Sequence, residues 1–183
     1  MSKAFFLDRD GVINRDKSYV SKKEDFEWLP GVFEACQRII NAGYLIVIIT
    51  NQSGIGRGYY TEQDFSRLTR WMTGVLLDKG IPLAGVYYSP FHATEGVGPY
   101  KQASDCRKPG PKMILDAAKD HHIDCERSVL VGDKASDIEA GRRAGVGQLV
   151  YIGEPGLIDD DSVLTADSLL SAVEQVLTSA IDG

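Results

Sequence analysis

Residues 44–50 read Tyr44-Leu-Ile-Val-Ile-Ile-Thr50, YLIVIIT, and this stretch decides the fold. It is β-branched and apolar up to its last residue, with no polar position every second residue. A strand wetted on one face alternates; a strand buried on both faces does not, and that is the habit of a central strand in a parallel sheet. The preceding PGVFEACQRIINAG, residues 30–43, sets Val32, Cys36, Ile39 and Ile40 on one helical face. Pro30 stands near its start and Gly43 at its end, as a helix requires. Further outward, AFFL (4–7), GVYYS (85–89), SVLVG (128–132) and GQLVYIG (147–153) read as more apolar strands. Helices are expected from Thr61, whose spacing to Asp64 fits a capping box, over KMILDAAKDHH (112–122), over 135–144 and from Ser168 onward. Phe65, Leu68, Met72, Val75 and Leu76 give the helix after Thr61 a core stripe. Residues 51–60 form a Gly-rich loop and 90–109 an irregular segment. Strands alternating with helices predict an α/β, doubly wound, mostly parallel sheet of the Rossmann-like kind, in a single domain spanning 1–183.

The bulk numbers narrow the function. The chain has 183 residues, 43% hydrophobic and 25% charged, the proportions of an ordinary globular protein. Its net charge of -6 argues against a nucleic-acid partner, which calls for a basic face. Cys36, Cys106 and Cys125 are odd in number and far apart, so a disulfide framework is not expected and a reducing, cytoplasmic setting is. The apolar stretch after Lys3 is short and ends in Asp8-Arg9-Asp10, unlike a signal peptide, and no run has the length of a membrane span.

In open parallel sheets the ligand sits beyond the carboxyl ends of the strands. Asp8 and Asp10 follow the first strand, and Thr50 ends the second, followed by Asn51, Gln52 and Ser53. Arg107 and Lys108 close the irregular segment, and Asp133, Lys134 and Asp137 follow SVLVG. Carboxylates crowded at one edge repel unless a cation joins them, and an all-oxygen site suits Mg²⁺. One carboxylate can then attack phosphorus while the other gives a proton to the leaving oxygen. The Lys108 ammonium and Thr50 hydroxyl can hold the equatorial oxygens of the transferring group, with backbone amides of the NQSG loop as further donors. No GxxxxGK[ST] nucleotide cradle is present.

The DxDG after strand one, the strand-ending Thr, the loop Lys and GDxxxD in that order resemble the haloacid-dehalogenase-like hydrolases, over residues 5–152. Within that superfamily, FLDRDGVIN, DKSYV, TNQSGIGRG, DCRKP and VGDKASD closely resemble the D-glycero-D-manno-heptose 1,7-bisphosphate 7-phosphatases, with the histidinol-phosphate phosphatases as near relatives. The resemblance implies Asp8 as nucleophile and Asp10 as general acid, then base. It implies Mg²⁺ held by Asp8, the Asp10 carbonyl, Asp133 and the Lys134 carbonyl, with Asp137 supporting Lys108 from behind. Thr50 and Lys108 would stabilise the phosphoryl group. Arg57 and Arg107 would recognise substrate, and Asp16 to Tyr19 would line the sugar side. The implied reaction removes the 7-phosphate in activated-heptose or lipopolysaccharide-core synthesis. The gap between Asp10 and the second strand holds about one helix, so no separate cap domain is expected. Selectivity would then fall to loops 11–25, 51–60 and 90–107.

Relatives carry a zinc site of the form C-x-H…C-x-C before the Lys. Here the matching positions are Ser89, Phe91, Ser104 and Cys106, and one thiolate cannot close a tetrahedral site, so no structural zinc is expected. His92 is out of step. The expected partner is a small sugar phosphate, acted on by a monomer with no membrane contact. Three readings compete: a histidinol-phosphate phosphatase, a phospho-accepting receiver-like signalling domain, and a binding module without activity. Receiver domains lack an acid two residues beyond the acceptor Asp, whereas Asp10 stands there. No catalytic position is missing.

Overall fold

The computed structural model describes residues 1–181. Six parallel strands make one sheet: β1 (Ala4–Leu7), β2 (Leu45–Asn51), β3 (Gly85–Ser89), β4 (Val129–Gly132), β5 (Gln148–Ile152) and β6 (Val163–Ala166), in the order β3-β2-β1-β4-β5-β6. The order reverses at β1, so β1, β2 and β4 lie at its centre. Side chains alternate across a strand. In β1, Phe5 and Leu7 therefore enter one core and Ala4 and Phe6 the other. The first core packs on helices α1 (Val32–Asn41), α3 (Glu62–Asp78) and α6 (Leu169–Ile181). The second packs on α4 (Lys112–His121) and α5 (Ala135–Ala144), and a one-turn helix α2 (Ser53–Gly56) follows β2. Thr61 and Asp64 make the expected reciprocal capping box at the start of α3.

Two elements differ from the sequence expectation. β6 stands where no strand was expected: it is a four-residue edge strand of which only Val163 and Ala166 are buried, too short and mixed to show a period. α2 occupies the start of the Gly-rich loop. Gly54 and Gly56 there face Tyr60 and the Pro90 carbonyl so closely that a Cβ would lie 2.2 and 2.3 Å from them. The first loop folds back onto the domain instead of forming a cap. Arg15 and Leu29 amides donate to the Glu27 and Ile13 carbonyls, and Phe26 packs edge-on against Trp28 and Trp71. No helix among the described residues is long and apolar enough to cross a membrane.

Candidate active site

The carboxyl edge of the sheet brings the expected residues together. Asp8 leaves β1 with its amide donating to the Val131 carbonyl at 3.1 Å, which seats it beside the end of β4. Lys108 arrives from the irregular segment and is 4% exposed. Its ammonium donates to Asp8 Oδ1 at 2.9 Å, Asp137 Oδ1 at 2.6 Å and the Ile49 carbonyl at 3.0 Å. Asn51 fixes the backbone from which that side chain springs. Its Oδ1 accepts from the Lys108 amide at 2.9 Å, and its Nδ2 donates to the Lys108 carbonyl at 3.2 Å.

Asp8, Asp133 and Asp137 each bring a carboxylate oxygen within 4.8 Å of the other two. Burial pushes the Asp8 carboxyl well above its ordinary range, and the Asp137 charge adds to this while Lys108 opposes it. Asp133 is raised too, by burial first and by Asp137 second. Such crowding favours a cation. Asp137 has its oxygens committed: Oδ1 to Lys108, Oδ2 to the amides of Asp133 and Lys134, both at 3.1 Å, where it caps α5. Asp133 Oδ1, in contrast, is buried with no hydrogen-bond partner among the described residues. The hard oxygen donors of Asp8 and Asp133 therefore fit a divalent cation such as Mg²⁺. Two glycines make the approach possible. Gly11 has φ +90, and a Cβ on it would stand 1.9 Å from Asp133 Oδ2; a Cβ on Gly132 would stand 2.3 Å from the Asp137 Cβ.

Above this floor lies a cleft of about 500 Å³ whose lining includes Asp10, Asp16, Tyr19, Ser53, Arg57, Arg107 and Lys134. Arg57 lies over the Tyr19 ring at 5.9 Å, and Tyr19 meets Tyr59 edge-on at 4.8 Å. Burial and the neighbouring Arg57 charge lower the Arg107 pKa, and the two guanidiniums line the same cleft. Lys134 and Asp16 approach to 3.8 Å across the mouth. Ser18 and Tyr19 both have left-handed backbone, φ 58 and 61, unusual outside glycine. The Ser18 amide donates to Asp16 Oδ1 at 3.0 Å, which holds that turn.

Gln52 and Thr50 are almost wholly buried, 3% and 1% exposed, and Asn51 and Gln52 line the cleft beside Asp10. Within the cleft the Gln52 side-chain amide donates to Asp10 and Thr50. Sequence reading left Arg9, Asn14 and Tyr60 unassigned, and all three belong to this network. Arg9 sits between two acids just past β1, and a charge buried there must find a partner.

The positions matching a zinc site carry a different arrangement. Ser104 Oγ donates to Cys106 Sγ at 3.1 Å, and Cys106 Sγ donates to Ser89 Oγ at 3.2 Å. Phe91 packs on Tyr100. His92 turns its Nδ1 to the Glu95 amide at 3.0 Å, within its own loop. One thiol and two hydroxyls do not fit a tetrahedral zinc. The loop is tied instead through Tyr100, whose hydroxyl donates to Glu62 at 2.9 Å, and through the Val97 amide, which donates to the Gly56 carbonyl at 2.8 Å. Metal analysis of protein purified without added metal is expected to find well under one zinc per chain. Cys106→Ser is expected to cost about 1 kcal/mol, the worth of one hydrogen bond. Stoichiometric zinc, or collapse of the fold in that variant, would refute this account of the loop.

Comparison with known proteins agrees with the geometry. A family model described as HAD-hydrolase-like matches residues 105–152. A D-glycero-alpha-D-manno-heptose-1,7-bisphosphate 7-phosphatase of Burkholderia mallei is 53% identical over 82% of this chain and 80% of its own. A D-glycero-beta-D-manno-heptose-1,7-bisphosphate 7-phosphatase of Vibrio cholerae is 47% identical over 94% of this chain and 93% of its own. The crystal structure of D,D-heptose 1,7-bisphosphate phosphatase from B. bronchiseptica, complexed with magnesium and phosphate, superposes with a TM-score of 0.82 at 28% identity, over 97% of this chain and 99% of that one.

Proposed function

Because the chain belongs to the D-glycero-D-manno-heptose 1,7-bisphosphate 7-phosphatase family of haloacid-dehalogenase-like hydrolases, we propose that it removes the 7-phosphate of that bisphosphate. It is a phosphoric monoester hydrolase with Mg²⁺ as cofactor. The observation that carries the reading is the Asp8–Lys108 pair at 2.9 Å on the floor of an open cleft, beside the unpartnered Asp133 oxygen. Asp8, Asp133 and the carbonyls of Asp10 and Lys134 would hold the cation, which neutralises charge on the phosphoryl oxygens when bound. Asp8 attacks phosphorus to give an aspartyl-phosphate, and Asp10 gives its proton to the departing sugar oxygen. Asp10 then takes a proton from the water that releases phosphate. Lys108 and the Thr50 hydroxyl stabilise the transferring group, and Asn51 and Asp137 hold Lys108 to that task.

Arg57 and Arg107 answer the second phosphate of the substrate, and Asp16, Ser18 and Tyr19 its hydroxyls. Ser53, whose Oγ accepts from Arg57 Nε at 3.4 Å, helps set the first arginine. The enzyme works as a cytoplasmic monomer on a small sugar phosphate, without nucleic acid, in the supply of activated heptose. Rates on both anomers of the bisphosphate, on histidinol phosphate and on p-nitrophenyl phosphate test the assignment; preference for histidinol phosphate would overturn it. Arg107→Ala is expected to raise KM for the bisphosphate about 10–100-fold, the worth of one charge-assisted hydrogen bond, with less effect on a heptose 7-monophosphate. Equal loss on both would remove Arg107 from the second-phosphate site.

A further inference from the structure

Arg9 is 1% exposed, yet no step of the proposed reaction needs its charge. A buried guanidinium costs several kcal/mol unless it is paired. Its partner is Asp10: Arg9 NH2 donates to Oδ1 at 2.9 Å and to Oδ2 at 3.0 Å, and also to the Val20 carbonyl at 2.9 Å. Asn14 Nδ2 adds a second donor to Oδ1 at 2.9 Å, and Gln52 Nε2 a second donor to Oδ2 at 3.1 Å. The same Gln52 Nε2 donates to Thr50 Oγ1 at 2.8 Å. The Tyr60 hydroxyl, buried behind, donates to Gln52 Oε1. An amide can be turned either way; an ionised Asp10 only accepts, so Nε2 faces it and Oε1 is left to accept from the Tyr60 hydroxyl.

We propose that Arg9, backed by the Gln52–Tyr60 pair, is a positioning residue that sets the Asp10 carboxylate in register with Thr50 and the leaving oxygen. The inference rests on the phosphatase reading above. In the first step the Asp8 oxygen bonds to phosphorus, the bond from phosphorus to the sugar oxygen breaks, and the Asp10 proton goes to that oxygen. In the second step water attacks phosphorus, its proton goes to Asp10, and the Asp8–phosphorus bond breaks. Both transfers require the carboxylate within hydrogen-bond reach of the moving proton. A displacement of about 1 Å can cost as much as 10²-fold. Held by Arg9, Asn14 and Gln52, the carboxylate has little room to turn.

Leaving-group dependence separates positioning from mere support of the fold. A sugar oxygen must be protonated to leave, whereas p-nitrophenolate leaves largely without help. For both substrates kcat/KM covers the steps up to the aspartyl-phosphate, where Asp10 acts as acid. The experiment measures kcat/KM with Mg²⁺ on heptose bisphosphate and on p-nitrophenyl phosphate, for wild type, Arg9→Met and Tyr60→Phe, with urea midpoints beside them. Arg9→Met is expected to lose about 10²-fold on the bisphosphate, part of the whole general-acid effect, and several-fold or less on the aryl ester. Tyr60→Phe is expected to lose about tenfold with the same selectivity. It removes one hydroxyl from an intact ring, so it decides the matter even if Arg9→Met does not fold. Equal losses on the two substrates, or no loss in Tyr60→Phe, overturn the inference. If wild type rejects the bisphosphate but cleaves other alkyl phosphates, the substrate reading fails. The same ratio, taken on the alkyl ester it does accept, still decides the role of Arg9.

Discussion

Asp8→Asn is expected to abolish turnover while leaving the fold intact. The substitution is nearly isosteric and removes both the attacking oxygen's charge and one charge facing the cation. Uncatalysed phosphate-ester hydrolysis is among the slowest reactions known, so loss of the covalent step costs many powers of ten. The fold survives for a reason visible in the site. Lys108 keeps its 2.6 Å partner Asp137, so no buried ammonium is left unpaired. Burial raises the Asp8 pKa, which means that its charged form is disfavoured in the folded protein. A group raised in this way contributes stability below its unfolded value and loses it as pH rises through the folded one. At neutral pH the metal-free Asp8→Asn protein is therefore expected to unfold at the same or a higher urea concentration than metal-free wild type. Substantial hydrolysis by pure Asp8→Asn, on any phosphate ester, would remove Asp8 as nucleophile.

Lys108→Met is expected to harm both rate and stability, through separable causes. Removing the ammonium leaves the Asp8 and Asp137 carboxylates facing each other in a buried site. Breaking a buried pair in this way typically costs about 3–5 kcal/mol. It also deletes the cation at the transferring phosphoryl group, and removing one such electrostatic contact typically costs about 10²–10³-fold in kcat. Adding Asp137→Asn separates the two effects. The neutral amide still accepts from the Asp133 and Lys134 amides through its oxygen, as Asp137 Oδ2 does at 3.1 Å. Stability measured by urea unfolding is expected to recover, and kcat is not. Recovery of both would make Lys108 a structural counter-charge only.

Much of the fold was legible because burial writes itself into short runs. YLIVIIT and AFFL became β2 and β1, the two strands whose unbroken apolar runs report burial on both faces. β6 was not legible, because an edge strand has one paired side and its four residues carry no period. The residue types at the strand ends were legible for a similar reason. Charges directly after an apolar strand stand at the ligand edge of any doubly wound sheet, whatever the loops do. Asp8, Thr50, Lys108 and Asp133 could thus be gathered at one edge before any coordinates.

What each side chain faces was decided by tertiary structure alone. Asn51 and Gln52 read as cleft residues. Both line the cleft, but the first also pins the Lys108 backbone from 57 residues away, and the second also holds Asp10 from 42 residues away. Such pairings depend on how loops from different strands lean together, and no local pattern records that. For Asp137 the expected pairing with Lys108 is present at 2.6 Å, while its second oxygen takes the Asp133 and Lys134 amides, which no local pattern records. By itself the sequence determined the sheet, its ligand edge and the chemical types collected there. The tertiary structure decided which amides and guanidinium surround Asp10 and which carboxylate keeps a free oxygen, because in a buried site each polar atom must find its partner among whatever the fold brings within about 3 Å.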